Sequence, residues 1–152
     1  MSFTPQLLSS DIEEDLRAAV RDLLAKRVAP PDLIGAYDGV TAPGIDADLA
    51  EMGVAGLLVP EDLGGAGAGA AVAGVVAEEL GAACAAGSFL TSAGIATATA
   101  LAADATALAS DLASGERTAA VVVPFSVDPH GPAPVVAVAD GALSGTARSV
   151  AG

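Results

Sequence analysis

The sequence predicts a mainly α fold: an N-terminal helical bundle followed by a short, incomplete β segment, α+β overall. Three observations carry this expectation. Apolar residues recur at helical spacing in successive segments up to about residue 113. The hydrophobic content of 53% is mostly Ala, Val and Leu, with 3% aromatic residues and no Trp. Such a core must form by close approach of helices through small side chains, and alanine favours the helix itself. After residue 117, valine-rich runs and Pro/Gly turn signals replace the helical period. The expected division is therefore a helical domain over 1–117 and a β segment over 118–152.

The first helix is expected over 11–28. Ser10-Asp-Ile-Glu13 reads as a capping box. Ile12, Leu16, Ala19, Val20, Leu23 and Leu24 share one face. Acidic residues crowd its start and Lys26 and Arg27 its end, matching the helix dipole. Pro30-Pro31 stops it, and 30–44 reads as an irregular connector.

A short helix from about Asp46 to Met52 should end at a left-handed Gly53. Residues 54–68 then form a loop around a buried run, Leu57-Leu58-Val59. Its glycines, Gly64, Gly65, Gly67 and Gly69, match neither G-x-G-x-x-G nor a Walker loop. They read as turn residues that let the next helix pack closely.

The next helix is expected over Ala70–Ala83, with Val72, Val75, Val76, Leu80 and Ala83 on one face. Glu78 and Glu79 are adjacent, so they point about 100° apart and cannot act as an acid/base pair. Glu79 falls on the apolar side, where a buried polar contact with a nearby loop or helix end is expected. Ser88 or Thr91 is expected to cap a helix to about Leu101, and Asp104 to cap another that Gly115 stops. Cys84, among alanines, reads as a small buried apolar residue.

Thr118-Ala-Ala-Val-Val-Val123 reads as a strand and 126–134 as a loop. Two further strands, 135–139 and 142–146, flank Asp140-Gly141, the preferred two-residue hairpin turn. Three strands lie near the lower limit for an independent sheet. His130 reads as an exposed loop residue.

Composition also limits function. The net charge is −13 and the pI about 4.1, and four of six basic residues lie in the first helix. No basic patch exists to follow a phosphate backbone or an anionic membrane, so no nucleic-acid or membrane partner is expected. No charge occurs between Glu79 and Asp104, but the residues are small and glycine-spaced, which fits a buried helix pair. The single cysteine excludes an internal disulfide. With no leader pattern at the N-terminus, a cytoplasmic location is expected. No metal site is expected either, since neither His130, Cys84 nor the carboxylates show ligand spacing.

Several segments in order resemble the N-terminal helical domain of the acyl-CoA dehydrogenases: Asp15 to Leu24, Leu49 to Gly67 with its Val-Pro-Glu-Asp-Leu-Gly-Gly, Glu78-Glu-Leu-Gly81, Gly87-Ser-Phe-Leu-Thr-Ser92, and Leu112-Ala-Ser-Gly-Glu-Arg117. The resemblance implies an FAD-dependent α,β-desaturation of acyl-CoA thioesters, in an enzyme that continues into a middle β domain and a C-terminal bundle. That bundle supplies the catalytic glutamate, so the resemblance assigns no catalytic residue here and expects this chain to be truncated and inactive alone. It also implies an acyl-CoA substrate and a homo- or hetero-oligomer. Where relatives open the middle domain with Thr-Glu-Pro, this chain has Val123-Pro-Phe-Ser-Val-Asp128. Pro124 lacks a backbone donor and Phe125 a carboxylate, so no flavin contact is carried over. The resemblance places Ser88, Phe89, Ser92 and Ala96 beside the acyl pocket, and plain core packing accounts for the same small residues. Two functional expectations follow: a member of this enzyme family, or a non-catalytic subunit that supports a catalytic relative.

Overall fold

A computed structural model describes residues 10–29, 31, 34–35, 38, 44–123, 136–147 and 150. Helix α1 runs Asp11–Arg27 and opens on the expected capping box. Ser10 Oγ accepts from the Glu13 backbone N–H at 3.3 Å, and Glu13 Oε2 accepts from the Ser10 N–H at 2.7 Å. Helix α2 (Asp46–Glu51) ends at Gly53, which is left-handed with φ 73°. Helix α3 spans Ala70–Ala82. A π-helical segment, Leu90–Ala96, continues directly into α4, Thr97–Ala102. Helix α5 spans Thr106–Ala113.

Helix α1 lies along α3, α4 along α5, and α5 against a 3-10 turn at Val54–Gly56. Val20 and Leu24 of α1, Ile45, Leu49, Val54, Ala73 and Val76 of α3, and Phe89 form the main core. Ala96, Ala100, Ala109 and Ala113 are buried along α4 and α5, where small side chains allow the close approach expected from composition. Of the run Leu57-Leu58-Val59, Val59 is buried, while the two leucines are half-buried against the core.

The two glycines after Leu63 have separate physical roles. Gly64 is left-handed, φ 87°, and closes the 3-10 turn Glu61–Leu63. A Cβ on Gly65 would stand 2.1 Å from the Val59 carbonyl oxygen, so only hydrogen fits. The backbone then folds back, with the Gly67 N–H donating to Val59 O at 2.8 Å and the Ala68 N–H to Leu57 O at 2.7 Å. The glycine-rich stretch is thus a tight return into α3, as its sequence suggests.

Glu79 is 5% exposed and its partners lie on α1, not on a loop or helix end as expected. Arg17 Nη1 and Arg21 Nη2 donate to its Oε1 at 2.6 and 2.7 Å, and Arg21 Nε donates to its Oε2 at 2.9 Å. Arg17 Nη2 also reaches Glu78 at 2.7 Å. Arg17 and Arg21 are one helical turn apart, so both face α3. A buried carboxylate needs this pairing, because desolvation of an unpaired charge costs far more than a lost contact.

Two helix ends depart from expectation. Cys84 adopts φ 49° just after α3, and the Ala85 N–H donates to Leu80 O at 2.9 Å. Asp104 adopts φ 53° after α4, and the Ala105 N–H donates to Ala100 O at 2.9 Å. Both are Schellman closures, a position that usually takes glycine. Cys84 is therefore turned outward and exposed instead of buried. Asp104 ends a helix instead of capping the next, whose N-cap is Ala105 with no side-chain bond.

Residues 118–123 form no strand. Their backbone has no ladder partner among the described residues, so β propensity alone does not make a strand there. The hairpin is as expected: β1 (Val136–Ala139) pairs antiparallel with β2 (Ala142–Gly145). Asp140 and Gly141, at φ 51° and 75°, give the positive-φ pair of a type I′ turn. All of its strand residues are exposed. The expected loop 126–134, His130, most of the connector 30–44, and 124–128 of the altered segment lie outside the described residues.

Hydrogen bonds from Arg21 and Arg17 hold the Glu79 carboxyl below its ordinary range. A depressed folded-state value gives stability that is complete above the unfolded glutamate range, about 4.3, and is lost as pH falls through the folded value. Glu79→Gln should lower unfolding stability by about 1–3 kcal/mol at pH 7, with water screening of Arg21 limiting the loss. Urea midpoints measured from pH 7 downward should fall below about pH 4.5 more steeply in the wild type than in the variant. Cys84→Gly removes a left-handed side chain and should raise stability by about 0.5–1 kcal/mol, seen as a Tm increase of a few degrees.

Candidate functional site

The connection from α3 into the π-helical segment brings three of the four candidate residues to one place. Ser88, Phe89 and Ser92 line a cavity with Leu49 and Asp46 of α2 and Leu112 of α5. Ala96 is buried at 5% exposure but does not line it. Phe89 is 6% exposed and also belongs to the main core, so it serves packing and cavity wall together. The cavity measures about 30 Å³, room for roughly two waters, whereas ligand pockets typically span about 300–1,000 Å³.

Neither Ser88 nor Thr91 caps the following helix. Asp46 does the work of satisfying its first turn: its Oδ1 accepts the Ser88 N–H at 2.8 Å. A Cβ on Gly87 would lie 2.9 Å from the same oxygen, so the glycine lets the backbone meet the carboxylate. Thr91 Oγ1 instead donates back to Ser88 O at 3.2 Å. Asp46 is a wall residue of this cavity that spacing in the sequence missed, because its partner lies 42 positions away.

The π turn sets where Ser92 points. The Gly94 N–H donates to Phe89 O at 2.9 Å, an i→i+5 bond. Thr97, fully buried, donates both its backbone N–H and its hydroxyl to Ser92 O, the latter at 3.0 Å. Wide turns of this kind occur often at functional sites. Ser92 Oγ, on a residue 5% exposed, accepts the Ala119 N–H at 3.1 Å. Two residues just before Ala119, Arg117 and Thr118, also line the cavity and are exposed. They form its outer wall. Arg117 is held by Asp111 at 3.0 Å.

A family model described as acyl-CoA dehydrogenase, N-terminal domain, matches residues 10–109, about two thirds of the chain. The chain belongs to the acyl-CoA dehydrogenase family. Comparisons with curated proteins and with solved structures give no match. The matched span contains α1 to α4 and the first half of α5, with Ser88, Phe89, Ser92 and Ala96 inside it.

Acyl-CoA dehydrogenases use FAD, and the cavity at Ser92 does not fit a flavin. The cavity at Ser92 is an order of magnitude too small for a ring system of that size. The segment with altered sequence begins at Val123 and lies otherwise outside the described residues. Among the described residues no helix is long and apolar enough to cross a membrane, and no group of His, Cys, Asp or Glu is placed to hold a metal ion.

Asp46→Ala should cost about 1.5–3 kcal/mol and speed exchange of the Ser88 amide hydrogen, while Asp46→Asn, which keeps an acceptor oxygen, should lose less than half of that. Thermal unfolding and amide exchange measured on both variants check this.

Proposed function

We infer that this chain contributes the helical wall against which the acyl group of a CoA thioester lies, in an FAD-dependent α,β-desaturation. The observation that carries the reading is the convergence of Ser88, Phe89 and Ser92 on one cavity, within the part of the chain that matches the family domain. Phe89, Leu49 and Leu112 give this cavity an apolar lining, and apolar walls suit a hydrocarbon chain. The family reaction supplies the redox chemistry through flavin. Ser88, Phe89 and Ser92, with Ala96 behind them, select and orient the chain and take no part in proton or hydride transfer. The helical domain over 1–117 and the β segment over 118–152 belong, in this reading, to a larger oligomeric flavoenzyme.

A second reading is favoured by one specific observation. Where relatives open the middle domain with Thr-Glu-Pro, this chain has Val123-Pro-Phe-Ser-Val-Asp128, in which Phe125 carries no carboxylate and Pro124 no backbone donor. A subunit with these changes supports a catalytic relative without itself holding flavin. Co-expression with a full-length acyl-CoA dehydrogenase separates the two: flavin absorbance on this chain purified alone supports the first, and a colourless chain that co-purifies with the relative supports the second.

Removal of the Phe89 ring should enlarge the acyl space. Phe89→Ala in the assembled enzyme should shift the preferred acyl chain upward by two or more carbons, as read by kcat/KM across a chain-length series. The same change should destabilise the fold by about 3–5 kcal/mol. An unchanged chain-length profile with the variant folded would remove Phe89 from the acyl wall.

A further inference from the structure

The cavity at Ser92 is walled on its solvent side by an exposed segment that one backbone bond ties to the π-helical turn. Arg117 and Thr118 line the cavity and are exposed. Ala119 follows, half-buried, and its N–H donates to Ser92 Oγ at 3.1 Å. Beyond it, the Val123 N–H donates to Val121 O at 2.8 Å, and residues 120–123 pair with no strand among the described residues. Val122 and Val123 are 54% and 52% exposed. The segment's ties to the helices are the Ala119 bond and the exposed Arg117–Asp111 ion pair at 3.0 Å. An exposed ion pair adds little, so the segment opens at low free energy compared with the core.

The other walls cannot yield so easily. Leu49 and Phe89 belong to the main core, and Leu112 is 2% exposed in α5. Of the lining residues, Arg117 and Thr118 are exposed side chains outside any helix, so enlargement from about 30 Å³ toward the size of a ligand pocket is easiest from the side of residues 117–121. The acceptor is built into the helix. Ser92 is fixed by the π turn and by Thr97, whose hydroxyl shares its carbonyl at 3.0 Å.

The geometry points to residues 117–121 as a strap, latched by the Ala119 N–H bond to Ser92 Oγ, that narrows the cavity and must lift to widen it for an aliphatic chain. The occupant rests on the proposed acyl function; the latch does not. Ser92 is in this sense a positioning residue for the strap as well as part of the wall. Thr97 acts one step further back, by holding the turn that aims Ser92.

Ser92→Ala removes the acceptor and Ala119→Pro removes the donor, from opposite sides of the same bond. Tryptic cleavage after Arg117, referenced to cleavage after Arg27 in the same digest, should accelerate by roughly 3–10-fold in either variant, the range one net hydrogen bond allows. Binding of the apolar dye 1-anilinonaphthalene-8-sulfonate should rise in parallel, with the helical circular dichroism unchanged. Unaltered cleavage in both folded variants would overturn the latch. Faster cleavage without added dye binding would overturn its role in narrowing the cavity. Lauroyl-CoA, titrated by calorimetry, tests the occupant separately. Tighter lauroyl-CoA binding by the variants than by the wild type supports a strap over an acyl site. Dye binding without any lauroyl-CoA binding retains the strap and overturns the acyl reading.

Discussion

One carboxylate, Glu79, sets the position of α1 on α3, and much of the domain is built on that placement. It is 5% exposed and shares three hydrogen bonds from two arginines. The hydrophobic contact between these helices, through Val20, Leu24, Ala73 and Val76, is largely non-directional. Small side chains allow several sliding positions of one helix on another. Charge-assisted bonds from a planar guanidinium are directional and admit few. The cluster thus selects one register from a set that packing alone leaves nearly equal. Arg27, donating to Asp48 at 3.0 Å, fixes the far end of α1 to α2 in the same manner.

That register determines the site. Helix α3 ends at Ala82, Cys84 turns the chain, and four residues later Ser88 meets Asp46. A shift of α3 would carry this turn away from α2. The cavity at Ser92 is accordingly a product of two polar contacts distant in sequence, Glu79 with α1 and Ser88 with α2. Close packing of alanine then leaves it small.

Most of the helical architecture was legible in the sequence, because each helix carries a period, a start or a stop of its own. The capping box at Ser10, the glycine after Met52 and the Asp140-Gly141 turn all appear where local chemistry places them. The failures have separate physical causes. Cys84 and Asp104 take left-handed positions that glycine would ordinarily hold, so the residue type gave no sign of the conformation. The Thr118–Val123 run has strand-like residues, yet a strand is a property of pairs. Asp46 and the partners of Glu79 depend on contacts 42 and about 60 residues apart, which no local pattern contains. The candidate residues Ser88, Phe89 and Ser92 came from resemblance, not from any spacing of reactive groups.

The π turn at Leu90–Ala96 separates two tasks that a plain helix would bind together. One residue corresponds to about 100° of rotation in an α-helix. By widening a turn, the chain absorbs one extra residue between Phe89 and Thr97 without lengthening the element. The face bearing Phe89 and Ser92 is thereby set out of phase with the face bearing Ala100. The core behind α4 stays fixed while the phase of the preceding turn is free to differ. Gain or loss of a single residue in this stretch is therefore a route by which related chains can re-aim a cavity wall and leave the scaffold as it stands.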